Sequence, residues 1–235
     1  MAITIENGSN ISCAVVEKLA KLVINGGEAR GCVACKHGTI KVIDGTVNGL
    51  DIAYGKVVIE GGAVQKLWAC DHGMAIIKGG VTEGIHIGSA NDSLVIVKGG
   101  TAKAIRVETG TLLVKGGKVE GCTVQENGAA GIWGEASQVM IEEGGKVYIH
   151  KGAYASDLIV HAGGFLVLKK YAVAGRIKIE KGGKLILHKG AVAHGVLADE
   201  EDVTAAPGSH VEYVNPQPQP QPQPAPNPAP AAAGA

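Results

Sequence analysis

A glycine returns along this chain at a nearly fixed interval, and that recurrence restricts the fold more than any other feature. In the stretch 56–73, KVVIEGGAVQKLWACDHG, the second turn glycine is Gly62. The same position comes back at Gly8, Gly27, Gly45, Gly80, Gly100, Gly117, Gly134, Gly152, Lys170 and Gly190. A period of about 18 residues is the mark of a solenoid, in which each unit buries its apolar side by stacking on the one before. Each unit reads as strand, glycine turn, strand, glycine turn.

The apolar residues keep the same beat. Five and three residues before the marker lie Ile3 and Ile5, Leu22 and Ile24, Val57 and Ile59, Ala75 and Ile77, Phe165 and Val167, Leu185 and Leu187. Five and seven residues after it lie Cys13 and Val15, Cys32 and Ala34, Leu67 and Ala69, Ile85 and Ile87. A spacing of two puts both members of a pair on one face of a strand, so both sets are expected to line one interior. Between them, two residues after the marker, stand small or branched side chains such as Ala29, Val64, Ala102, Ala136, Ala172 and Val192, suited to a tight corner turning inward. The glycines supply the positive φ that sharp corners need.

The expected fold is therefore all-β: a single parallel β-helix of about eleven coils, a rod of roughly 50 Å at about 4.8 Å per coil. Right-handed coiling is expected, because left-handed β-helices follow a hexapeptide rhythm that these coils do not carry. Three departures mark local irregularities. The stretch 129–137 reads as a shortened first strand with Trp133 at a turn position, Lys169-Lys170 stands in for a glycine pair, and Asn91-Asp92-Ser93 replaces a closing glycine. The division is a repeat domain over 1–198, an acidic capping segment over 199–214, and a proline-rich linker over 215–235. Alternating prolines in the linker favour an extended spacer with little to bury.

Composition narrows the partners. With 3% aromatic residues, a single Phe and 36 glycines, the interior is expected to be narrow and aliphatic. The 22 basic and 22 acidic residues cancel, so the chain as a whole has no attraction for nucleic acid or an anionic membrane. No run of about 18 apolar residues is present to insert in a bilayer, and the opening MAITIENGSN has no signal-peptide pattern. Five cysteines, an odd number spread along the chain, point towards a reducing compartment.

Candidate chemistry is sparse. CKHG at 35–38 and CDHG at 70–73 fall in register, placing Cys35 with Cys70 and His37 with His72. One coil, presenting Ala53 and Tyr54, separates them, so equivalent backbone positions lie about 9.6 Å apart, too far for zinc ligands without leaning. No metal site, cofactor or catalytic residue is expected. Cys32 and Cys35 form a CxxC within a strand, where positions three apart point to opposite faces. Paired carboxylates in register, which a polysaccharide-cleaving β-helix would need, are missing.

The pattern in LVKGGKVEGCTVQENG and IKIEKGGKLILHKGAVAHG resembles the AIDA-type repeat of bacterial surface proteins, over roughly residues 3–198. The resemblance implies a β-helical passenger at the cell surface or outside the cell, adhesive or serving as a stalk, with a host or cell-surface ligand. The Ser/Thr/Asn positions of that family, some of them glycosylated, are largely Lys, Glu and aliphatic here. A bactofilin-like scaffold that assembles inside the cell is the alternative, and the missing signal and free cysteines favour it. A polysaccharide-acting β-helix enzyme is the third reading. Self-association is expected at the N-terminal coil, where an unpaired strand edge would expose backbone groups with Ile3, Ile5 and Val15 just inside it.

Overall fold

The computed structural model describes residues 2–88 and 92–214. Its 23 strands form one continuous parallel ribbon wound into about twelve turns, a single β-helix. The proline-rich stretch 215–235 and Asn91 lie outside the described residues.

Each turn has three faces rather than two strands. In the turn begun by the strand Lys56–Ile59, the first face buries Val57 and Ile59. The strand Ala63–Cys70 then makes two faces, because Lys66 in its middle takes a left-handed backbone, φ 57°. Simple alternation from Val64 would bury Lys66 next. The left-handed residue turns the chain and resets the alternation, so that Leu67 and Ala69 point inward instead. The same corner is filled by Gly84, Ala104, Gly121, Gln138 and Asp157 in the following turns, all at positive φ. A non-glycine residue there costs about 1 kcal/mol, offset by the core that the turn closes.

The interior is aliphatic throughout. Among the described residues the buried apolar set contains Ile, Leu, Val, Ala and two cysteines, Cys32 and Cys122, and no aromatic ring. Strands pair in parallel with like residues stacked on like: Val57 on Ala75, Ala75 on Val95, Val95 on Leu112. The first-face strands from Lys56–Ile59 to Lys184–Leu187 keep one register without a bulge.

The marker glycine drifts from this register where the first corner changes length. That corner is 60–62 in one turn but only Trp133-Gly134 between Ile132 and Glu135, and 150–153 between Ile149 and Tyr154. Consequently Leu166 and Leu168 are the inward pair, and Phe165 faces out with 38% of its surface exposed. Ala174 and Ala193 hold the inward second-face positions expected of Ala172 and Val192. The left-handed position assigned to Lys170 belongs to Tyr171, φ 59°. The strand in 129–137 is not shortened: Ala129–Ile132 matches its neighbours residue for residue, and the corner after it absorbs the difference.

Both ends differ from expectation. In the first turn Cys13 is the left-handed corner residue, φ 52°, so Ala14 and Val16 turn inward while Val15 faces out, 63% exposed. Ile5 is buried, and Ile3 is half exposed although it pairs with Leu22. The strands Ala2–Glu6, Asn10–Ser12 and Val15–Val16 pair on one side only, with Lys21–Cys35. At the far end, Val203–Ala205 and His210–Tyr213 continue the ladders in parallel as a twelfth turn. The acidic run becomes a corner: a 3-10 turn, Glu200–Asp202, buries Asp202, whose carboxylate accepts from Lys184 Nζ at 2.9 Å and Gly182 N at 3.2 Å.

Candidate functional site

The CKHG and CDHG residues do not converge. Ala53 pairs with Cys35 on one side and with Cys70 on the other, so a full coil separates the two sulfurs. The Tyr54 ring fills the space beside the second motif, its centroid 5.4 Å from that of His72. His72 Nδ1 lies 3.5 Å from Asp92 Oδ2. His37, Tyr54 and His72 edge a shallow depression of about 390 Å³. Among the described residues no group of three or more His, Cys, Asp or Glu could hold a metal ion. Cys32 points into the core and burial raises its thiol pKa, while Cys35 is only partly buried, so the CxxC thiols lie in different environments.

Contrary to the expectation that carboxylates in register are missing, Glu108, Glu126, Glu142 and Glu143 gather at the third corner around a depression of about 430 Å³, where Gln125 Nε2 donates to Glu142 at 2.7 Å; other outer carboxylates are held by cations. Glu60 is bracketed by Lys41 at 2.8 Å and Lys78 at 3.1 Å, and Glu120 by Lys118 and Lys103. Asp157 is gripped by Arg176 from the next turn. Hydrogen bonds from these cations hold all three carboxyls below their usual range. Paired-carboxylate hydrolysis needs one acid raised and its neighbour ionised. Asp51, raised by partial burial, is the exposed carboxyl that departs in that direction.

Three other groups draw the eye. On the third face Trp68 stacks on His86, centroids 5.6 Å apart and 5° from parallel, and His86 Nε2 lies 3.0 Å from Glu108. Beside them is a depression of about 520 Å³ floored by Gly121 and Cys122 and edged by Arg106, Met140 and Asp157. Burial pushes the Cys122 thiol up to about 12, which leaves it protonated and unreactive at neutral pH. At the first corner Trp133 lies on His150 with centroids 3.7 Å apart, and Lys115 sits over its other face at 5.9 Å. Burial, with Lys169 close by, lowers the His150 pKa.

The feature that sequence reasoning missed is the outside of the first face. Strands there are apolar on both sides: Lys56–Ile59 is KVVI, Leu94–Val97 is LVIV, Thr111–Val114 is TLLV and Lys184–Leu187 is KLIL. Unbroken apolar runs mark a strand covered on both faces, whereas a half-solvated strand alternates. One side of each strand fills the core, and the other, which includes Val58, Ile76, Ile96, Leu113 and Ile186, stays partly exposed. Two residues further along each strand the chain enters the first corner, and there stand Lys78, Lys98, Lys115, Trp133, His150 and Lys169. Each donates its backbone N–H to the turn below, which fixes them as one straight row.

No family model and no curated protein sequence matches this chain. Among solved structures it is similar to the TibC-catalyzed hyper-glycosylated TibA55-350 fragment, at 16% identity and a TM-score of 0.43, over 91% of this chain and 92% of that one. At that identity and score the likeness carries nothing about function.

Proposed function

We propose that this chain is a non-enzymatic repeat module of the adhesin-passenger kind, a rigid rod displayed at a cell surface that binds a ligand there or spaces another part away from it. The observation that carries the reading is the outer surface itself: side chains repeat in straight rows from turn to turn, and among the described residues no long loop walls off a cleft. Catalysis in a β-helix calls for a groove with titratable groups tuned apart. Glu60, Glu120, Glu180 and Asp157 are paired with Lys, His or Arg across neighbouring turns, and the glutamates of the third corner line an open depression. Display is tested by labelling intact producing cells with a membrane-impermeant amine reagent and fractionating them. Modified protein in the envelope fraction is the expected result, and protein confined unmodified to the cytosol would remove surface display.

A second reading, an intracellular scaffold that grows by self-assembly, is favoured by one observation. The first turn leaves one strand edge unpaired among the described residues, with Ile3 half exposed beside it. Electron microscopy of the purified chain at high concentration separates the two, since only the scaffold requires filaments.

A further inference from the structure

The first face differs in kind from the other two. Its middle row is aliphatic: Val58 pairs with Ile76, Ile76 with Ile96, Ile96 with Leu113, and beyond Tyr148 come Val167 and Ile186. Gly131 interrupts this row, and a Cβ there would lie 2.7 Å from the Trp133 ring, so the indole folds over the gap and keeps the surface covered. Met74, Leu94 and Phe165 add apolar surface on the side away from the lysine row.

Charge on the two edges of this face differs: at the first corner every charged side chain from Lys98 to Lys170 is a lysine, whereas Glu108, Glu126, Glu142 and Glu143 gather at the third corner. Lys56, Lys98, Lys115, Lys146 and Lys169 meet no carboxylate among the described residues. Two further carboxylates at its edges, Glu60 and Asp202, are already engaged by Lys41, Lys78 and Lys184. Elsewhere cations and anions alternate, as in Arg30 with Glu28 on the second face and Arg106 with Glu108 on the third.

We propose that the first face docks on an anionic lipid surface tilted onto its first-corner edge, with the aliphatic row reaching the headgroup and acyl boundary, the lysine row lying against lipid phosphates and carboxylates, and the glutamates of the third corner turned away. The strands keep register without a bulge from Lys56 to Leu187, so the face is straight over about eight turns, close to 38 Å at about 4.8 Å each. Lysine stems lie along apolar surface while the ammonium stays in the polar layer. Trp133, 40% exposed, sits in the lysine row and folds over Gly131 beside Tyr148 of the aliphatic row, and amphipathic rings of this kind favour a membrane interface.

Other occupants fit less well. An acidic glycan needs polar groups for its hydroxyls and open aromatic faces, yet apart from Tyr148 the middle row is hydrocarbon, and the faces of Trp133 and Tyr148 are taken by Lys115, His150 and Lys169. Single-stranded nucleic acid needs the same open faces. Docking of this kind needs no spanning segment, and among the described residues no helix is long and apolar enough to cross a bilayer. The inference stands whether the rod is displayed outside the cell or assembles within it, because it concerns one face of the purified chain.

The test is flotation of the full chain with phosphatidylcholine vesicles, with and without phosphatidylserine. The expected result is partition onto the phosphatidylserine vesicles that falls steeply with salt, and about tenfold or weaker partition onto phosphatidylcholine alone. Lys98→Glu, Lys115→Glu and Lys169→Glu together should lower partition by about a hundredfold. A charge-matched control away from the face, Arg30→Glu, Lys103→Glu and Arg106→Glu, should change it far less. Circular dichroism of both triple variants confirms that each is folded. Should the face variant not fold, Ile96→Ser with Leu113→Ser tests the apolar row and should weaken partition while keeping its salt dependence. Failure of the wild-type chain to float with phosphatidylserine vesicles overturns the proposal. So does an equal loss in the control, or tight binding to heparin without vesicle binding, which would identify an acidic glycan.

Discussion

Two glycines at positive φ ought to respond very differently to the same added methyl group. Gly100, φ 70°, closes a first corner, and Gly121, φ 74°, forms the single-residue corner between the second and third faces. Alanine at either site carries the left-handed cost of about 1 kcal/mol, reduced by up to about half through the stiffer unfolded chain. At Gly121 nothing more is added, because the nearest heavy atom to a new Cβ is Ala104 N at 3.7 Å. The turn below already carries alanine there, Ala104 at φ 50°. At Gly100 the Cβ would lie 2.5 Å from Gly80 O and 2.7 Å from Gly79 C, both backbone of the preceding turn. Relief requires lifting one coil off the next, an overpacking cost of about 1–3 kcal/mol. Gly100→Ala should therefore lose about 2–4 kcal/mol and Gly121→Ala about 1 kcal/mol or less. Urea unfolding followed by circular dichroism reads the difference, taken from the midpoint at constant slope because a repeat array can depart from two-state behaviour. Equal losses at the two sites would refute the argument that close coil stacking, and not φ alone, selects glycine at the first corner.

Other consequences are open to direct measurement. Iodoacetamide at pH 8 should label exposed Cys13 quickly and leave Cys122, whose thiol is pushed up to about 12, unlabelled until the chain unfolds; mass spectrometry checks this. Asp202, Asp157 and Glu120 are held below the usual carboxylate range, first by Lys184, Arg176 and Lys118. Their stabilisation is present above their unfolded values, near pH 4, and is lost as the pH falls through the lower folded values. Asp202→Asn should thus flatten the acid side of a thermal-denaturation profile. Substituting proline at Ile5 should abolish any association through the N-terminal edge. Light scattering that finds the wild-type chain monomeric at high concentration would end that idea.

Much of this fold could be read from residue spacing. Val64, Leu67 and Ala69 are inward, and the gap of three between the first two carries the third face, since strict alternation cannot bury both 64 and 67. The corner between them was hard to see because its residues share no chemistry: Lys66, Gly84, Ala104, Gln138 and Asp157 are alike only in φ. Register was lost where glycine spacing and strand spacing part company. Phe165 and Val167 satisfy the glycine beat, but the longer corner 150–153 shifts the next strand, and Leu166 and Leu168 take the core. Cys13 and Val15 failed likewise, after the longer corner before Asn10. The separation of Cys35 from Cys70 by the Ala53 coil followed from register alone, because parallel pairing fixes which residues can meet.

The lysine row was hidden by a sum. Twenty-two basic and 22 acidic residues cancel over the chain, but a partner at a surface senses only charges within about a Debye length, roughly 8 Å at physiological salt. A triangular rod holds its faces further apart than neighbouring turns, so charges on different faces are screened from one another more than charges along one face. Lys98 and Lys115 stand one turn apart on the first face. Glu126 and Glu143 lie at the third corner, the opposite edge of that face, about 13 Å away across a four-residue strand. A solenoid thus converts a sequence interval into a spatial row: whatever recurs at the repeat period is concentrated on one line, and whatever offsets it at another phase is carried to another edge. For such a chain the informative charge is that of each phase of the repeat. The first-corner phase here begins with Glu60, which Lys41 and Lys78 already bracket, and from there on reads Lys78, Lys98, Lys115, Trp133, His150, Lys169 and His188.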